Sequence, residues 1–115
     1  MTAPEWAREQ GNQRLNEVGP PGNPQDYANF LLTMIYRYPG QIHAIEVWNE
    51  MNLDREWPQG QINPATYVQM LAKSYTAIKA ANASVMVISG APSIGSFMGT
   101  APVARIACSN SIWPW

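Results

Sequence analysis

The sequence predicts an α/β fold built on a parallel sheet, and three observations predict it. Two long segments carry apolar residues at helical spacing. Each is followed by a short apolar, β-branched run. The four segments alternate as helix, strand, helix, strand. Alternation of this kind makes the helices crossovers between parallel strands. Val47 and Val87 stand 40 residues apart, room for one strand–helix–strand unit with a loop insertion. A doubly wound sheet and a (β/α)₈ barrel share this pattern, and both stand open on pattern alone.

Taken in order, residues 1–23 carry Gly11, Gly19, Pro20, Pro21 and Gly22 with no sustained periodicity, and read as loop. A helix then starts at Asn23-Pro24-Gln25-Asp26: Asn is a good N-cap, Pro suits the first helical position, and an acid suits the first turn. Its apolar positions are Tyr27, Phe30, Leu31, Met34, Ile35 and Tyr38, and Pro39-Gly40 stops it. The run Ala44-Ile45-Glu46-Val47-Trp48 is the first strand. The second helix begins at Asn63-Pro64 and repeats the spacing with Tyr67, Met70, Leu71, Ser74, Tyr75 and Ile78, where Ser74 is the one polar residue. Val85-Met86-Val87-Ile88-Ser89 is the second strand. Both strands are short and bounded by turn signals, as expected of buried strands in a parallel sheet. Residues 91–115 return to Gly, Ser and Pro and read as an irregular tail. The whole is expected to form a single domain.

Composition narrows the function classes. The net charge is −1 and no run of Lys or Arg occurs, which argues against a nucleic-acid or anionic-membrane surface. Apolar stretches are too short to span a membrane. Met1 to Gln10 contains acids and no apolar core, so it does not read as a signal peptide. One cysteine, Cys108, and one histidine, His43, support neither a disulfide framework nor a metal site, and no cofactor is expected. Ser89, Ser93 and Ser96 have no histidine placed to activate them. Charged residues make up 13% of the chain, against about 25% in a typical globular domain. That shortage suggests surface meant to be covered.

The chemistry-bearing stretch is Ile45-Glu46-Val47-Trp48-Asn49-Glu50-Met51-Asn52, where the first strand runs into its loop. Sites in open α/β sheets and in barrels form at the carboxyl ends of strands. A strand-end Glu50 sits on rigid backbone. Partial desolvation there would raise its pKa and suit it to general acid work. Asn49 can donate to a substrate hydroxyl. Trp57, in the following loop, offers an aromatic face of the kind on which sugar rings stack.

Trp48-Asn49-Glu50 after an apolar strand resembles the acid/base motif of clan A glycoside hydrolases, particularly families 5 and 39. Pro4-Glu5-Trp6-Ala7-Arg8 resembles the loop after strand three of those barrels, and Pro24 to Phe30 the start of helix three. Tyr67 to Ala81 resembles helix four, and Val85 to Ser93 strand five with its loop. The resemblance implies part of a (β/α)₈ barrel, covering roughly residues 3–95. It implies Glu50 as general acid/base, Asn49 in contact with the C2 hydroxyl of the sugar, and Trp57 and Trp6 along a carbohydrate cleft. The reaction would be retaining hydrolysis of an O-glycosidic bond.

Retention needs a second carboxylate about 5–5.5 Å from the first. In the family it closes strand seven, which this chain does not reach, so the chain is expected to be inactive alone. Glu46 is four residues back along the same strand, ~13 Å at about 3.3 Å per residue, too far even for an inverting pair. Asp54 and Glu56 lie on the loop beside Arg55, as surface ion-pairing residues would. The family would continue after Ser93 into a loop and helix, whereas the tail to Trp115 shows no such pattern, as in a truncated or frame-shifted reading. An incomplete barrel would expose unpaired strand edges and self-associate. The competing expectations are a non-catalytic module that contacts carbohydrate or serves as scaffold, and an unrelated small doubly wound α/β protein.

Overall fold

Each helix begins where an asparagine can cap it. In the computed structural model, which describes residues 2–8, 18–57 and 62–93, Asn23 accepts from the Gln25 N–H at 3.0 Å and Asn63 accepts from the Ala65 N–H at 2.9 Å. Each cap satisfies one of the donors a helix start leaves without an intrahelical partner. Helix α1 runs Pro24–Arg37 and helix α2 runs Pro64–Ala81. After α1 the chain turns through Gly40, whose φ of +71° favours glycine. Beyond α2, Lys79 Nζ donates to the Ala83 and Val85 carbonyls at 3.0 and 2.9 Å, bracing the turn into the next strand.

Strands β1 (Ala44–Val47) and β2 (Met86–Ser89) pair in parallel, with Ala44 opposite Met86 and Val47 opposite Ser89. The described residues therefore form a small α/β protein of two helices and two parallel strands, with a short 3₁₀ turn at Glu5–Ala7 inside the segment read as loop. The Ala3 N–H donates to the Gly19 carbonyl at 2.8 Å and the Gly22 N–H to the Ala7 carbonyl at 2.9 Å, so the first segment lies against residues 19–22. Residues 94–115, including Ser96, Cys108 and almost all of the expected tail, lie outside the described residues.

The core lies between the helices and one face of the strand pair. Tyr27, Leu31 and Ile35 from α1 meet Tyr67, Met70 and Ile78 from α2, with Val47, Trp48, Met51, Trp57 and Val85, and Ile45 and Val87 pack against them. Burying a side chain of this size contributes about 1.5–3 kcal/mol. Alternation along the strands leaves the opposite face, Ala44, Glu46, Met86 and Ile88, exposed. The strands were expected to be buried on both faces. Instead the helices cover one, and among the described residues nothing covers the other.

Three residues on the predicted apolar stripes, Phe30, Tyr38 and Tyr75, are exposed. The buried line on α2 is Tyr67, Met70, Ser74, Ile78, narrower than the full apolar face, and Tyr75 stands one position round from it. Ser74 occupies the centre of that line, fully buried, and among the described residues its hydroxyl has no hydrogen-bond partner.

Candidate functional site

The carboxyl ends of β1 and β2 are held from below by two tyrosines. The Tyr67 hydroxyl, rising from α2, donates to the Val47 carbonyl at 3.1 Å and accepts from the Gly90 N–H at 2.8 Å, joining the last residue of one strand to the first residue beyond the other. The Tyr27 hydroxyl, from α1, accepts from the Trp48 N–H at 3.4 Å. Burial pushes the Tyr27 pKa up, which keeps the hydroxyl neutral. Gly90 approaches so closely that a Cβ there would stand 2.9 Å from the Val47 and Trp48 carbonyl oxygens and 3.0 Å from the Met51 methyl. Only glycine fits that contact without displacement.

On this base the chain leaves β1 in an unusual conformation. Trp48 has φ +67° and Glu50 has φ +40°, a region that costs non-glycine residues about 1–2 kcal/mol each. The strand was expected to include Trp48. It ends at Val47 because Trp48 turns out of extended geometry. Packing enforces the turn. The Trp48 indole N–H donates to the Glu56 carbonyl at 3.2 Å. Tyr27, Trp48, Trp57 and Tyr67 then form an edge-to-face series with centroids 5.6, 6.2 and 6.5 Å apart, contacts that add about 0.5–1.5 kcal/mol each beyond burial.

Two cross-links join the loop after β1 to the segment after β2. The Glu50 N–H donates to the Ala91 carbonyl at 3.2 Å. The Asn52 side chain grips the Ser93 backbone from both sides, its Nδ2 donating to the Ser93 carbonyl at 2.9 Å and its Oδ1 accepting from the Ser93 N–H at 2.8 Å. Within the loop, the Leu53 N–H donates to the Glu50 carbonyl at 2.9 Å and the Trp57 N–H to the Leu53 carbonyl at 2.9 Å.

The expected site residues fare differently. Glu50 stands at the strand end with a quarter of its side chain exposed, and Asn49 beside it is half-buried. Trp57 is only 3% exposed and packed between Trp48 and Tyr67, so its rings brace the loop and offer a sugar no open face. Trp6, on the 3₁₀ turn, is exposed. Glu46 lies on the open face of the sheet. The expected rise in the Glu50 pKa is corrected in sign. The Arg55 guanidinium, 2.5 Å from its carboxylate, holds the group below its ordinary value, outweighing the upward push of desolvation, and a hydrogen bond from the Ser93 side chain acts in the same direction as Arg55. Sequence reading had treated Arg55 as a partner of its loop neighbours and missed this pairing.

Asn52, Ser93 and Gly90 were also missed as parts of the site. A signal did exist for Asn52, an amide within the Asn-Glu-Met-Asn run at a strand end. Nothing in the sequence alone placed Ser93 opposite it. Among the described residues no group of three or more His, Cys, Asp or Glu could hold a metal ion, and no helix is long and apolar enough to cross a membrane. No protein-family model matches the chain, and no curated protein matches it.

Proposed function

We propose that the chain carries the acid/base half of a retaining glycoside hydrolase site, on two successive β/α units of a (β/α)₈ barrel. The observation that carries this reading is the conformation of Trp48-Asn49-Glu50. Two non-glycine residues in the left-handed region flank Asn49 at the carboxyl end of a parallel strand, where chemistry is placed in such folds. Backbone strain of this sort persists only where the surroundings over-determine it, and it clusters at functional sites. Helices on a single face of the strand pair also suit a barrel, whose helices form an outer ring. The open face of Met86, Ile88 and Glu46 then corresponds to barrel interior.

In this reading Glu50 protonates the leaving oxygen and later deprotonates the attacking water, while Asn49 contacts the sugar hydroxyl beside the reacting carbon. The nucleophile is a second carboxylate on another strand, as the resemblance implies. The free site holds Glu50 ionised against Arg55, so work as an acid requires a substrate to displace that guanidinium. The pairing favours a second reading, a module that contacts carbohydrate through this end of the sheet without cleaving it.

One assay distinguishes them. Aryl β-glycosides are incubated with the purified chain and added azide, which stands in for the second carboxylate by attacking the anomeric carbon as the phenol leaves: a half-site releases phenol in a Glu50-dependent manner, and Glu50→Gln abolishes release. Saturable binding with no release supports the carbohydrate-contacting module, and neither binding nor release overturns both. The barrel reading also expects self-association through the open strand edges. Light scattering at tens of micromolar checks it, and a sharp monomeric peak contradicts it.

A further inference from the structure

We propose that Asn52 is the positioning residue for Glu50: by clamping the Ser93 backbone it locks the segment after β2 against the loop after β1, and so fixes the reacting carboxylate's place at the strand end. The inference rests on the reading of Glu50 as the working carboxylate.

The geometry is that of a side chain standing in for a strand. A primary amide carries an NH₂ donor group and a carbonyl acceptor in one plane. Asn52 uses one N–H and the carbonyl oxygen on a single residue, at 2.9 and 2.8 Å, across 41 positions of sequence. The other tie between these segments is the bond from the Glu50 N–H to the Ala91 carbonyl, two residues before Ser93. The two ties bracket Glu50: one holds its own backbone, the other holds the partner segment two residues further on along both segments. Between them lies the strained φ of +40° at Glu50. A residue in that conformation relaxes unless its neighbours prevent it, and these cross-links supply the restraint. The Ser93 side chain in turn helps hold the Glu50 carboxyl below its ordinary pKa, so the clamped residue also acts on the group being positioned. Asn52 itself acts through Ser93.

A merely structural asparagine would contribute stability and leave the carboxylate's behaviour alone. Asn63 provides the comparison, since it caps α2 through its side chain and belongs to no part of the site. In ¹³C-detected pH titrations of the Glu50 carboxyl, Asn52→Ala raises the midpoint, because Ser93 is released and its hydrogen bond lost. Asn63→Ala lowers thermal stability but leaves that midpoint where it is in the wild type. Asn52→Ala also speeds exchange of the Ser93 amide by roughly tenfold, the scale of one lost hydrogen bond.

An Asn52→Ala chain that folds and titrates at Glu50 like the wild type overturns the proposal. If that variant does not fold, amide exchange in the wild-type chain decides: Ser93 is expected to share the protection of Glu50, and an unprotected Ser93 N–H overturns the clamp. None of these signals involves sugar. Failure of the glycosidase reading, seen as no response to glycosides, is therefore distinct from failure of this one.

Discussion

The two ends of the strand pair treat the same backbone conformation in opposite ways. Before β1, where a left-handed residue is needed, the chain uses Gly40, with nothing among the described residues within 4 Å of where a Cβ would be. Beyond β1, the left-handed positions are Trp48 and Glu50, and aromatic packing, two tyrosine hydroxyls and the Asn52 clamp hold them there. The first end solves a turn at low cost. The second maintains strain where a carboxylate is displayed. Backbone strain clusters at working sites, so the difference supports the proposed placement of the site at the carboxyl end, with the amino end, including His43, as scaffold.

Breaking this contrast has its largest effect at the second glycine. Gly90→Ala forces the Val47 and Trp48 carbonyls apart and is expected to lower stability by about 3 kcal/mol, whereas Gly40→Ala, with open space, costs about 1 kcal/mol from its φ alone. Denaturant melts of both variants test it, and equal losses would erase the asymmetry. Tyr67→Phe comes next. It removes a buried hydroxyl that both donates and accepts between the strand ends, at an expected cost of about 1.5 kcal/mol, while Tyr75→Phe on the exposed side of the same helix changes little. Ser74→Ala should raise stability by about 1 kcal/mol, since it removes an unpaired buried hydroxyl and improves helix propensity. A destabilised Ser74→Ala chain would show that the hydroxyl has a partner in solution.

The smallest effect concerns pH. The folded pKa of Glu50 lies below its ordinary value of 4.5. The pair with Arg55 therefore adds stability above that value and loses it as pH falls through the lowered folded pKa. Arg55→Gln should move the Glu50 titration upward and flatten this acid-side dependence. Because the pair faces solvent, the change in overall stability is slight and weakens with salt.

Much of the fold was legible because local chemistry dictated it. Asn23 and Asn63 announce helix starts, the Pro39-Gly40 pair announces a stop, and β-branched runs announce the strands. The place of Glu50 just beyond a strand end was legible because an apolar run followed by Asn-Glu is a local pattern. The rest depends on distant segments meeting. The grip of Asn52 on Ser93, the fit of Gly90 under two carbonyls and the bridging hydroxyl of Tyr67 all join residues 20 or more positions apart. The burial of Trp57 escaped notice at shorter range, because Trp48 and Tyr67, nine and ten positions away, close over it only in the folded chain. An aromatic in a loop reads as a stacking platform until Trp48 and Tyr67 are seen to enclose it.

The most direct test is a titration of the ¹⁵N-labelled chain with an aryl β-glycoside, following every backbone amide. Saturable shifts concentrated at Asn49, Glu50 and Asn52, with Gly40 and His43 unmoved, are the expected result. Shifts centred on the Gly40–His43 end, or none at any concentration up to solubility, would contradict a carbohydrate site at the carboxyl ends of the strands.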